Sequence, residues 1–224
     1  MEYAVLTREE LSIYDFGRGM GMDTHSSEAI AHTLADMQKA QGDALIAGGV
    51  AVIHYGYKRY THVIDILYPN HDEADILRRL KKDFKIVLKA ENGWHHFEHR
   101  KTKVRLELIP EGGLTQYGFI PGPKIVGGEN GFVSLFGLVW MKLVSGREKN
   151  DADLMEVAKT GQLSSMRKLC EKLPAELRER YTAILDRAER ELRTDKGRIE
   201  NADRAEEPKS RYGKLKRKRK KARA

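Results

Sequence analysis

Residues 47–69 read AGGVAVIHYGYKRYTHVIDILYP. In order, this is the end of a short apolar strand (ALIAGG, 44–49), two glycines, a short helix from Val50 that stops near Gly56, and a second strand from Thr61 to Tyr68. A period of two along that strand puts Thr61, Val63 and Asp65 on one face and His62, Ile64 and Ile66 on the other. Gly48 and Gly49 have no side chains, so a phosphate-bearing ligand can approach the backbone and meet amide donors where the helix starts. A Gly-Gly pair is also how an ordinary strand-to-helix turn is made. The acids downstream carry more information: Asp65 and, later, Val104-Arg105-Leu106-Glu107-Leu108 place two carboxylates on β-type segments near a glycine turn. Such hard oxygen donors suit Mg²⁺ with a nucleotide.

Outward from this segment, Ile30, Leu34 and Met37 recur at helical spacing, which predicts a helix capped by Ser26 or Ser27 and ending near Ala40, with Gly42 as its stop. Asp72 to Lys82 reads as an amphipathic helix with Ile76, Leu77 and Leu80 inward. Lys85–Leu88 and Val104–Ile109 read as strands, with a hairpin-like stretch around Trp94–Arg100 between them. Residues 110–131, rich in Gly and Pro, read as a long loop. Ser134 is placed to cap the apolar helix Leu135–Val144, and Asn150 to cap a second helix from Asp151 to about Thr160. Helical periodicity continues through Leu163–Leu173 and Ala175–Leu192, with Pro174 at the junction.

The expected fold is therefore α/β: a small mixed, twisted sheet of about five strands with helices against one face, then a helical portion. The expected division is 1–133 for the α/β core, 134–193 for the helical part and 194–224 for a disordered basic tail.

The segment resembles the nucleotidyltransferase superfamily with the DNA polymerase β-like fold, and in particular its bacterial minimal and toxin-like members. Their pattern is roughly GG-x-A, a short helix, R-x-T-x-D-x-D, a later strand with a third Asp, and a helical R-x-K-D-x-x-D element. Gly48-Gly49-Val50-Ala51, Arg59, Thr61 and Asp65 match the first part. Val104 to Pro110 sits where the third carboxylate strand belongs, and Lys142, Gly146-Arg147-Glu148-Lys149 and Asp153 fit the helical element. The resemblance covers about residues 28–160 in one order. It implies catalysis and metal binding by Asp65 and Glu107, a nucleotide held by Gly48, Gly49, Arg59, Thr61 and Lys142, and Mg²⁺ or Mn²⁺ as cofactor. It further implies transfer of a nucleotide monophosphate from a nucleoside triphosphate to a protein or RNA acceptor, and the option of an antitoxin-type partner.

Three positions depart from the pattern. Val63 stands at the first Asp of the pair, Glu107 replaces the third Asp, and Asn150 replaces the Asp of the helical element. Valine offers Mg²⁺ no ligand, so a catalytically degenerate pseudoenzyme that binds nucleotide or RNA is the alternative expectation. Apart from the resemblance, Asp65 could be a solvated strand acid, Glu107 could pair with Arg105, Lys142 could be a lysine snorkelling from an apolar helix, and Arg147 and Lys149 could be solvated.

The charge lies at one end. The chain of 224 residues has 41 Lys+Arg against 33 Asp+Glu, a formal net charge of +8. Ten Lys or Arg and no acid fall within 208–224, which leaves residues 1–207 at about −2. Lys214, Lys216, Arg217, Lys218, Arg219, Lys220 and Lys221 are therefore candidates for salt-sensitive contact with nucleic-acid phosphates, with Tyr212 the one ring able to stack on a base. A plain solubilising tail is the alternative. No apolar run approaches membrane-spanning length and the N-terminus lacks signal-peptide order, so a cytoplasmic location without membrane contact is expected. Cys170 is the single cysteine, which excludes an internal disulfide. His95, His96 and His99 read as ordinary histidines of a surface hairpin: neighbouring strand residues face opposite ways, and no nearby acid or cysteine completes a metal site.

Overall fold

The computed structural model describes residues 24–61 and 63–206. In chain order the elements are α1 (Thr24–Ala40), β1 (Leu45–Ala47), α2 (Gly48–His54), β2 (Val63–Tyr68), α3 (Glu73–Leu80), β3 (Phe84–Lys89), β4 (His95–His99), β5 (Arg105–Pro110), the two-residue strands β6 (Leu114–Thr115) and β7 (Gly118–Phe119), α4 (Pro123–Val126), β8 (Gly128–Glu129), β9 (Phe132–Val133), α5 (Leu135–Ser145), α6 (Glu148–Val157), α7 (Leu163–Arg167) and α8 (Ala175–Glu206). Two compact units divide this chain, the first ending at Ala188 and the second beginning at Glu189.

Within the first unit the main sheet has seven strands among the described residues, in the order β3-β4-β5-β2-β1-β9-β8. β2 runs antiparallel to β1 but parallel to β5, and β1 runs parallel to β9, so the sheet is mixed. The expectation of about five strands fell short because residues 110–131 are not simply a loop. They hold the β6–β7 hairpin, α4 and β8, and β8 pairs with β9 to extend the sheet beyond β1. Strands of two residues carry too little periodicity to stand out against Gly and Pro.

The period of two is kept where it matters. On β2, Ile64, Ile66 and Tyr68 are fully buried, as are Leu106 and Leu108 on β5 and His95, Phe97 and His99 on β4. That face packs with Ile30, Leu34 and Met37 of α1 and Ile76, Leu77 and Leu80 of α3, the inward residues expected of the amphipathic helix. Each fully buried aliphatic side chain contributes roughly 1.5–3 kcal/mol. The alternate set, Val63 and Asp65 on β2 and Glu107 on β5, lies on the other face and is only half-buried.

α1 begins at Thr24, so Ser26 and Ser27 lie inside it rather than at its cap. The cap at Ser134 is as expected: its Oγ accepts from the Gly137 amide at 3.1 Å and donates to the Val126 carbonyl. The apolar α5 ends at Gly146, whose φ of +67° is a left-handed stop. Asn150 does not cap a helix. α6 already starts at Glu148, and Asn150 is buried within it. α5, α6 and the first part of α8 add Leu138, Val139, Leu154, Val157, Leu177, Tyr181 and Leu185 to the same apolar core as the sheet.

The second unit is described as the helical continuation of α8 from Glu189 to Glu206, past residue 193; there Arg193 pairs with Glu189 one turn away at 2.5 Å. Lys214, Lys216, Arg217, Lys218, Arg219, Lys220 and Lys221 lie outside the described residues. Among the described residues no helix is long and apolar enough to cross a membrane.

Candidate nucleotide and metal site

Strand register brings the two candidate carboxylates together. Asp65 stands opposite Glu107 across the parallel β2–β5 ladder, and opposite Ala47 across the antiparallel β1–β2 ladder. The residue after Ala47 therefore has to turn directly over the Asp65 side chain, and that residue is Gly48. Its φ is +61°, and a Cβ there would lie 1.6 Å from Asp65 Oδ2. Gly49 is equally tight, since a Cβ on it would meet Thr61 Oγ1 at 2.7 Å. The Gly49 amide points at Asp65 Oδ2 at 3.4 Å. The pair of glycines is thus required by close approach to Asp65 and Thr61. Thr61 itself donates its hydroxyl to the Val63 carbonyl at 3.0 Å, which holds the start of β2.

These residues open into a cavity of about 520 Å³. Gly48, Gly49, Val63, Asp65 and Glu107 form its sheet side, Met141, Lys142 and Ser145 come from α5, and Arg147, Lys149 and Asn150 from the start of α6. Trp94, Tyr60, Leu114 and Ile120 add aromatic and apolar wall.

Charge is distributed unevenly around this cavity. Burial holds the Asp65 carboxyl above the usual aspartate value and the Glu107 charge adds to the effect, against opposing pulls from Lys142, the Gly49 amide and Lys149. Glu107 remains partly exposed, and His96 Nδ1 lies 3.6 Å from its carboxylate, directly across the β4–β5 ladder. Arg105 stands opposite Glu98.

Arg59, Lys142, Ser145 and Asn150 line one wall of this cavity and belong to an ionic cluster centred on the buried Asp153. Asp153 accepts from Arg59 Nη1 at 2.5 Å on each of its oxygens and from Lys142 Nζ at 2.7 Å. Lys142 also donates to Asn150 Oδ1 at 3.0 Å, and Asn150 donates in turn to Ser145 Oγ. Lys142 and Asp153 are 7% and 4% exposed. Burial pulls the Lys142 ammonium below the usual lysine value, with Asp153 acting the other way. Arg59 and Lys142, the two cations expected to position a nucleotide, are therefore each engaged by Asp153. Arg147 and Lys149 are exposed, line the cavity and form no ion pair among the described residues.

The histidines of β4 are not those of a surface hairpin. His95 and His99 are each 1% exposed, because β4 is an interior strand whose alternate residues face α1 and α3. His96 does point the opposite way, as alternation requires. His95 Nε2 lies 3.0 Å from Glu73, and His99 Nε2 lies 3.2 Å from Asp36 of α1. The acids that meet these rings come from other elements, so local spacing could not show them. The i, i+4 pair His32–Asp36 was the visible half of one such group.

No family model matches this chain, and no curated protein matches it. Among solved structures, that of the antibiotic-resistance factor ANT(2'')-Ia is similar to it at 12% identity, over 77% of this chain and 95% of that one, with a TM-score of 0.38. A likeness of that size assigns no function to this chain.

Proposed function

We propose that this chain is a nucleotidyltransferase-like protein that binds a nucleoside triphosphate with Mg²⁺ or Mn²⁺ and transfers a nucleotide monophosphate to a protein or RNA acceptor. The observation that carries the reading is the pairing of Asp65 with Glu107 in register beneath a glycine turn that leaves no room for a side chain. Two carboxylates fit one hard divalent cation, and Val63, which lines the same cavity, adds no oxygen for a second. A bound cation would supply charge neutralisation at the phosphates. The chain's own contribution is separate: Arg147 and Lys149 offer charge to phosphate oxygens, and Trp94 and Tyr60 offer ring faces to a base. The buried Arg59–Asp153–Lys142 cluster holds the α5–α6 wall against the sheet side.

Val63 supports a second reading, a nucleotide-binding pseudoenzyme. Labelled ATP, GTP, CTP and UTP, with Mg²⁺ or Mn²⁺ and with RNA and protein acceptors, separate the two in the full chain. The enzyme reading expects label on an acceptor and its loss by about 100-fold or more in Asp65→Asn, as when a group stabilising transition-state charge is removed. Label that appears only in Val63→Asp establishes the pseudoenzyme. Failure of parent and Val63→Asp alike to bind any of the four nucleotides rejects both readings. In Val63→Asp, Mn²⁺ binding is expected to tighten about tenfold, ~1.4 kcal/mol.

A stability measurement tests the electrostatics independently. Because the Asp65 carboxyl is held above its unfolded value, its ionisation costs stability as pH rises through the carboxylate range. Asp65→Asn removes that cost at neutral pH and can still accept from Gly49. Without metal, the variant is expected to gain ~1 kcal/mol, read as a rise of about 2–4 °C in Tm. A lower Tm than the parent would show that Asp65 is not strained.

A further inference from the structure

On the helix-packed side of the sheet, His32 and Asp36 of α1 meet His99 of β4. Asp36 Oδ2 is 3.3 Å from His32 Nδ1 and 3.2 Å from His99 Nε2, and the three donor atoms all lie within 4.8 Å of one another. Zinc bonds to imidazole and carboxylate are ~2.0–2.2 Å, so tetrahedral ligand atoms stand about 3.4 Å apart. Two of the three edges already have that length. The third can close through His32, whose side chain is 49% exposed and can turn inward, whereas Asp36 and His99 are fixed by burial. We propose that His32, Asp36 and His99 form a Zn²⁺ site that ties α1 to β4, with a fourth position left for water.

The surroundings fit this assignment. Lys39 holds the other Asp36 oxygen, Oδ1, at 2.8 Å, which leaves Oδ2 toward the histidines. Behind the His99 ring, Nδ1 is 2.8 Å from Thr102 Oγ1, Thr102 Oγ1 is 2.6 Å from Thr33 Oγ1, and Thr33 donates to the Ala29 carbonyl at 2.7 Å. With the proton on Nδ1, this is one continuous donor chain that turns the Nε2 lone pair toward the metal position, the outer-shell arrangement usual for ligating histidines. In the metal-free structure the Thr102 amide donates to Nδ1 at 3.2 Å, a bond given up when Nδ1 is protonated. The metal-free ring can therefore accept there and carry its proton on Nε2 against Asp36. Metal binding moves that one proton from Nε2 to Nδ1, so the ring stays neutral and its tautomer changes. The site is independent of Asp65 and Glu107: His96 of β4 faces Glu107, whereas His99, three residues on, is on the buried face.

The full chain titrated with Co²⁺ as a Zn²⁺ surrogate, followed by visible absorption, provides the test. One equivalent is expected to give the intense spectrum of four-coordinate Co²⁺, displaced by Zn²⁺ and retained in Asp65→Asn. Affinity is expected to fall at least tenfold in His32→Ala, whose half-exposed position leaves folding intact, and to be lost in Asp36→Asn. Nitrogen NMR of His99 is expected to show Nδ1 protonated in the Zn²⁺ form. The proposal is overturned by absence of the spectrum in the parent, by its persistence at full strength in His32→Ala and Asp36→Asn, by its loss in Asp65→Asn, or by a His99 Nδ1 that stays unprotonated with Zn²⁺ bound.

Discussion

Gly48→Ala is expected to cost about 2–5 kcal/mol of stability and to abolish nucleotide binding. Two separate penalties contribute. The left-handed backbone at Gly48 disfavours any Cβ by roughly 1–2 kcal/mol. The new methyl would also sit 1.6 Å from Asp65 Oδ2 and 2.4 Å from its Cγ, and overpacking of this kind costs about 1–3 kcal/mol. Neither side can retreat easily, because Ala47 pairs directly with Asp65 in the β1–β2 ladder. At about 2–4 °C per kcal/mol for a chain of this size, thermal melting should fall by roughly 4–20 °C. The double variant Gly48→Ala with Asp65→Gly separates the contributions. Removing the carboxylate should return the steric part and leave the backbone part, a coupling that a double-mutant cycle reads directly. A Gly48→Ala chain that melts within a degree of the parent would show that β1 and β2 do not hold this register.

Asp153→Ala is expected to cost about 3–5 kcal/mol, the usual result of removing one partner from a buried ion pair. Here one carboxylate serves two cations, so its removal leaves Arg59 and Lys142 facing each other with only Asn150 accepting from Lys142. The loss should depend on pH. Asp153 is the main influence that opposes the effect of burial on Lys142, so in the variant the folded ammonium falls further below its unfolded value. Folding then releases a proton, and stability rises with pH between the folded value and the ordinary lysine value near 10.5. Urea denaturation at pH 7 and pH 9.5 should therefore show a smaller deficit at the higher pH. Replacing both partners, in Lys142→Met with Asp153→Leu, should lose less than Asp153→Ala alone. A pH-independent loss below ~1 kcal/mol would mean that the cluster is solvated.

Both predictions depend on residues already conspicuous in the sequence but with roles that were not. Gly48, Gly49, Thr61 and Asp65 could be grouped from spacing alone, because one turn and one strand period connect them. Arg59 and Lys142, expected to hold a nucleotide, both line the cavity, and their engagement by Asp153 depends on α6 packing beside that wall, which no local pattern encodes. Asn150 looked like a cap because it is polar and precedes a helical run, yet its side chain is used against Lys142 and Ser145. His99 looked ordinary for the opposite reason: the carboxylate it meets is 63 residues away.

By itself, the sequence determined the α/β class, the division of β2 into two faces, the Ser134 cap, and the concentration of positive charge in the last 17 residues. All of these follow from period, composition or a local hydrogen bond. Only the tertiary structure decided which residues meet. Strand register set Asp65 beside Glu107, the turn over Asp65 required glycine, helix packing shared Asp153 between Arg59 and Lys142, and the seating of α1 on the sheet brought His32 and Asp36 to His99. Contacts between distant segments are set by how faces are buried together, and that is a property of the whole core rather than of any one stretch.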